Sequence, residues 1–184
     1  MKRTIIALSC ALLTSPALAQ SIGEKTGVNS ALGLAPISAD FVNEVAISDM
    51  FEIEASKLAE QKGSAQEKSF AQQMVTDHTK TSTELKQLVG SGKVKAELPT
   101  ALDNSLENKL DRLKEASGRS FSSYFVSYQV SAHKDAVSLF ERYAKGGDNA
   151  ELKDWAGKTL PTLQHHLDMA QELGNAPSVG QSNK

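Results

Sequence analysis

Four side chains able to bind a proton or a metal ion fall on apolar helical stripes of this sequence: Glu52, His78, His133 and His166. Positions three and four apart share one face of a helix. Val45, Ser48, Glu52, Ala55, Ser56 and Ala59 form such a face around Glu52, and Ala71, Met74, Val75, His78, Ser82 and Leu85 form one around His78. Phe125, Val126, Gln129, His133, Ala136, Val137 and Phe140 do the same for His133, as do Leu152, Trp155, Ala156, Leu163, His166, Ala170 and Leu173 for His166. A titratable group in an apolar interior costs free energy unless it is hydrogen-bonded or ligated. One carboxylate with three imidazoles suits a transition metal such as zinc, iron or copper. The same four groups also suit a hydrogen-bonded network that fixes the packing. Asp77, beside His78, is the candidate orienting group behind the cluster. His165 faces about 100° away from His166 and is expected in solvent, as are Glu44 and Glu54, which lie off the best stripe.

Other chemistries are not supported. The sequence has no Gly-x-Ser-x-Gly nucleophile motif, no glycine-rich phosphate loop and no His-Glu-x-x-His. Val75, Val130 and Leu163 stand three residues before the three histidines, so the Glu-x-x-His pairs of a ferritin-type di-iron centre are missing. No catalytic residue is assigned, and a protein without enzymatic activity is preferred over an enzyme, the question being left open by the sequence. A metal-using oxidoreductase or hydrolase at this site would need an open coordination position and a substrate cleft.

The elements that must position the cluster are helices. A first helix is predicted over 39–61, ended by Gly63, and a second over 64–89, opened by the capping-box pattern Ser64-Ala65-Gln66-Glu67. A shorter helix over 100–117 carries Leu102, Leu106, Leu110 and Leu113 on one face. Long helices over 119–145 and 149–173 follow, the last bent at Pro161. Four long helices and one short one predict an all-α, up-and-down four-helix bundle. With ~1.5 Å rise per residue, Glu52 lies ~18 Å and His78 ~22 Å from the first hairpin turn, and His133 ~21 Å and His166 ~28 Å from the second. His166 is therefore expected about a turn away from the other three.

The 184 residues suit one domain, and with 40% hydrophobic and 23% charged residues the composition is that of a globular chain. Lys plus Arg number 20 against 22 Asp plus Glu, which leaves no basic footprint for nucleic acid or anionic lipid. Residues 1–19 read as a signal peptide: Lys2 and Arg3, an apolar run from Ile5 to Leu13, then Ala17-Leu18-Ala19. That run is about half the ~20 residues of a membrane span. The expectation is cleavage after Ala19, a periplasmic or otherwise exported protein, and no transmembrane anchor after cleavage. The only cysteine, Cys10, would leave with the signal. Residues 20–38 read as a flexible leader without helical period, 39–173 as the helical domain and 174–184 as a disordered tail.

Four stretches carry a family resemblance: FEIEASKLA at 51–59, FAQQMVTDH at 70–78, QVSAH at 129–133 and LPTLQHHL at 160–167. In this order the sequence resembles the bacterial DUF4142 family of exported proteins with a ferritin-like helical bundle. The resemblance implies that Glu52, Asp77, His78, His133, His166 and Pro161 are family-pattern positions. Members often have Asp and Tyr where Ser122 and Phe125 stand here. The family has no settled activity, so the resemblance implies fold and compartment. Two functions are expected: a cell-envelope protein binding a transition metal through a mid-bundle Glu/His cluster, or a structural or stress-related envelope interaction protein with a buried polar network.

Overall fold

The computed structural model describes residues 22–175, which are all-helical with no strand among them. The expected signal peptide and most of the expected tail lie outside the described residues. Two single turns, α1 (Ile22–Lys25) and α2 (Val28–Ala31), precede α3 (Ser38–Lys62), α4 (Ala65–Gly90), α5 (Asn104–Glu115), α6 (Gly118–Gly146) and α7 (Ala150–Asn175).

Local chemistry sets most boundaries. The Ser64 hydroxyl accepts from the Glu67 backbone N–H at 3.3 Å, and the Glu67 carboxylate accepts from the Ser64 N–H at 2.6 Å. This reciprocal pair satisfies two donors that a helix start leaves open. The short helix begins later than its leucine spacing suggests, because Asp103 caps it: its carboxylate accepts from the Leu106 N–H at 2.8 Å. Helix α7 runs unbroken through Pro161, which lies on its exposed face, and continues past Gly174 to Asn175.

The expected leader is not without helical structure. Glu24 and Arg142 form a buried ion pair, with Nη2 donating to Oε1 at 2.8 Å and Nη1 to Oε2 at 3.2 Å. Nη1 also donates to the Leu34 carbonyl at 2.6 Å. The segment from Ile22 to Ile37 is thereby clamped to α6 by contacts more than a hundred residues apart in sequence.

Helix α3 packs along α4 and α6 along α7, while α3 also meets α6 and α4 meets α7. The apolar interior is divided in two. One cluster holds Phe41, Val45, Leu85, Phe140, Tyr143, Trp155 and Leu163, and the other Phe51, Ala59, Phe70, Met74, Phe121, Phe125 and Ala170. Asp49 on α3, His78 on α4, His133 on α6 and His166 on α7 fall between the two clusters and so share one level, with Glu52 just past Phe51 at the edge of the second cluster. Residue order through the clusters also gives the helix directions. Helices α3 and α7 run one way and α4 and α6 the other, giving up, down, down, up. Strict alternation therefore fails between α4 and α6. The chain from Ser91 to Ser117 packs Val94 in the first cluster and Leu110 and Leu113 in the second, and so returns along the length of the molecule. Lys62 at the end of α3 fixes the far end of α5, donating to the carbonyls of Leu113 at 3.2 Å, Lys114 and Ala116 at 3.1 Å.

Candidate metal centre

His78 from α4, His133 from α6 and His166 from α7 meet between the two apolar clusters. Their ring centroids are 5.6 Å apart for His78–His133, 5.5 Å for His78–His166 and 5.3 Å for His133–His166. All three are buried, and one ligating atom from each lies within 4.8 Å of the others. His166 is level with its partners rather than a turn away. Helical side chains lean toward the N-terminus of their own helix. Helix α6 enters the hairpin turn and α7 leaves it, so His133 leans away from the turn and His166 toward it, and the offset closes.

The opposite nitrogen of each ring is held by an acceptor. Asp49 on α3 takes the His78 Nδ1–H at 2.8 Å, the Gln129 carbonyl takes the His133 Nδ1–H at 2.9 Å, and Asp77 takes the His166 Nε2–H at 2.9 Å. Carboxylates and carbonyls only accept, so these contacts fix the tautomers. The lone pairs then sit on His78 Nε2, His133 Nε2 and His166 Nδ1, and none of these atoms has a hydrogen-bond partner among the described residues. Asp49 is itself held by the hydroxyls of Thr81 at 2.8 Å and Ser82 at 3.0 Å. Asp77 accepts from Gln73 at 2.6 Å.

Glu52 is buried in the same layer. Its Oε2 accepts from the Gln129 amide at 2.6 Å, and Oε1 has no hydrogen-bond partner among the described residues. It does not belong to the 4.8 Å group, which comprises the three imidazoles. Burial pushes the Glu52 carboxyl up to about 7, although His78 and the Gln129 hydrogen bond pull the other way. Burial, with the neighbouring His78, drives His133 down to about 3. Burial also drives His166 down to about 4 against the pull of Asp77. Both rings are therefore neutral donors at neutral pH. At His78 burial acts downward too, but the Asp49 hydrogen bond and charge outweigh it, so this ring titrates above an ordinary histidine. At Asp77 burial acts upward, and the hydrogen bonds from Gln73 and His166 outweigh it and hold the carboxyl low.

The profile described as Domain of unknown function (DUF4142) matches residues 23–173. The chain belongs to the DUF4142 family. No curated protein and no solved structure matches it. In this DUF4142 chain Ser122 donates to Glu67 at 3.2 Å, and Phe125 packs edge-on against Phe70.

Among the other singled-out residues of this DUF4142 protein, His165 and Glu54 are exposed, Glu54 pairing with Lys57 at 2.7 Å. Glu44 is not in open solvent. It is partly buried, and burial, with the charge of Glu24, pushes its carboxyl up to about 7. Asp49 was missed by the stripe chosen for α3. Val45, Asp49, Glu52, Ser56 and Ala59, spaced four, three, four and three, follow the buried face better than the stripe through Ser48. No helix among the described residues is long and apolar enough to cross a membrane.

Proposed function

We propose that this DUF4142 protein binds one divalent transition-metal ion, zinc, iron or copper, through His78 Nε2, His133 Nε2 and His166 Nδ1, with Glu52 supplying a fourth, anionic ligand. The observation that carries the reading is the pairing within each ring, one nitrogen held by an acceptor and the other buried without a partner among the described residues, in a trio whose ligating atoms lie within 4.8 Å of one another. A ligating histidine needs this arrangement, with its second nitrogen oriented by a carboxylate or carbonyl. Donors around tetrahedral zinc at ~2.0–2.1 Å lie about 3.3 Å from one another, so atoms now within 4.8 Å would close by at most about 1.5 Å. Glu52 would neutralise part of the ion's charge, and a bound cation would in turn favour its ionised form.

The wider reading is a ferritin-like four-helix bundle with one crossover connection, exported by its signal peptide to the periplasm or cell envelope and not assigned an enzymatic activity. A purely structural polar network is the weaker alternative. It leaves three ring nitrogens and Glu52 Oε1 buried without partners, a cost that bound metal would remove.

Tagless protein, stripped with chelator and titrated with Zn²⁺, Fe²⁺ or Cu²⁺, should take up about one equivalent of at least one ion. His78→Ala/His133→Ala should take up none with the helix content retained. Equal, negligible uptake in both proteins would remove the metal reading.

A further inference from the structure

A cavity of about 450 Å³ opens between α3, α6 and the start of α5. Its floor includes His78 and Asp49, both buried, and its walls carry Glu44, Asp103 and Asp135. Lys109 is the one lysine or arginine among its lining residues. A second groove of about 440 Å³, between α4 and α7, is lined by residues such as Phe70, Gln73 and His165 and reaches none of the three clustered imidazoles. The acid-lined cavity thus shares a wall with the candidate centre, and the other groove does not.

We infer that this cavity is the port through which hydrated divalent cations reach the histidine trio, an inference that rests on the metal reading above. His78 belongs to both structures: it forms part of the cavity floor, and its buried Nε2 has no partner. Asp49, Asp103 and Asp135, joined by a Glu44 that is ionised only in part because burial raises it to about 7, outweigh Lys109 and make the potential negative along the path. A cleft of one charge sign with low-dielectric walls concentrates oppositely charged ions and raises their association rate by about 10–10³-fold. The exposed Asp103 and Asp135 form the outer rim, the partly buried Glu44 the wall, and Asp49 lies next to the receiving imidazole. The gradient of exposure follows the direction in which an ion must shed water. The charge pattern favours a small cation over an organic anion, which Lys109 alone would have to hold.

The test is the rate of zinc uptake by the metal-free full chain, followed by stopped flow with a zinc indicator. Glu44→Gln/Asp135→Asn should load about tenfold more slowly than wild type while reaching the same final stoichiometry. Its rate should also depend less on added salt. Ser69→Trp, which fills the α4–α7 groove, should load at the wild-type rate. An unchanged rate in Glu44→Gln/Asp135→Asn, or slowing confined to Ser69→Trp, would overturn the port. Loss of final stoichiometry with an unchanged initial rate would likewise place these carboxylates outside the path. Failure of wild type to take up any metal would instead strike the metal reading, and the port with it.

Discussion

Asp77 holds His166 by Nε2 at 2.9 Å, so the ring presents Nδ1, not Nε2, to His78 and His133. The two partners lie on different helices, α4 and α7, and 89 residues apart. Asp77→Asn keeps the shape but offers the ring a neutral amide that can equally donate. Removal of such an orienting partner typically costs 10–100-fold in metal affinity. Competition titration against a chelator should show a loss in that range, with only a small loss of thermal stability in the metal-free protein, since the ionised Asp77 is favoured in the fold. Affinity equal to wild type would mean that Asp77 does not set the ring.

Glu52→Gln should separate stability from binding. The folded carboxyl titrates near 7, above its ordinary value of 4.5. The folded state therefore holds the proton more tightly, and the stability contributed by this group is present at low pH and lost as pH rises toward and past 7. A glutamine resembles the protonated form and can still accept from Gln129. Metal-free Glu52→Gln should gain stability at pH 8, by at most ~3 kcal/mol, and show little change at pH 5. Metal affinity should fall. Urea unfolding at the two pH values, with zinc titration alongside, reads both; a loss of stability at pH 8 would contradict the burial argument.

The Glu24–Arg142 clamp predicts a local effect. Breaking a buried ion pair can cost ~3–5 kcal/mol when the remaining charge stays buried. Here Glu24 sits on a single-turn helix ahead of the long ones, and it can swing into water. Arg142→Ala should therefore release residues 22–37 to limited proteolysis while lowering global stability by less than that range. Cleavage at the wild-type rate would show that the segment is held by its other contacts.

Glu44 supplies a pH dependence of its own. Burial and Glu24 raise it to about 7, with Arg142 opposing. A raised acid adds stability below its unfolded value and loses it as pH climbs through the folded one. The stability of Glu44→Gln relative to wild type should therefore rise from pH 5 to pH 8 and level off above. Chemical denaturation across that range measures it, and a constant difference would place Glu44 in ordinary solvent.

The helices and the inward direction of Glu52, His78, His133 and His166 were legible in the sequence. A helix face is set by local geometry, and the Ser64 capping box and the glycine at 63 are local signals. Asp49 was half-legible. It lies on the buried stripe, yet a carboxylate three residues before another carboxylate reads as solvated until the Thr81 and Ser82 hydroxyls of a second helix are known to meet it. The clamp at Arg142 was not legible, since nothing within the 22–37 segment marks Glu24 as buried.

By itself, the order of residues determined that the long helices form and that Glu52, His78, His133 and His166 turn toward the interior, because capping and periodicity act within a few residues. Only the tertiary structure decided that His166 stands level with His78 and His133, which nitrogen of each ring faces the others, and that α4 and α6 run the same way. Those depend on how opposed helices lean toward one another and on acceptors brought from distant parts of the chain, and neither property belongs to any single segment.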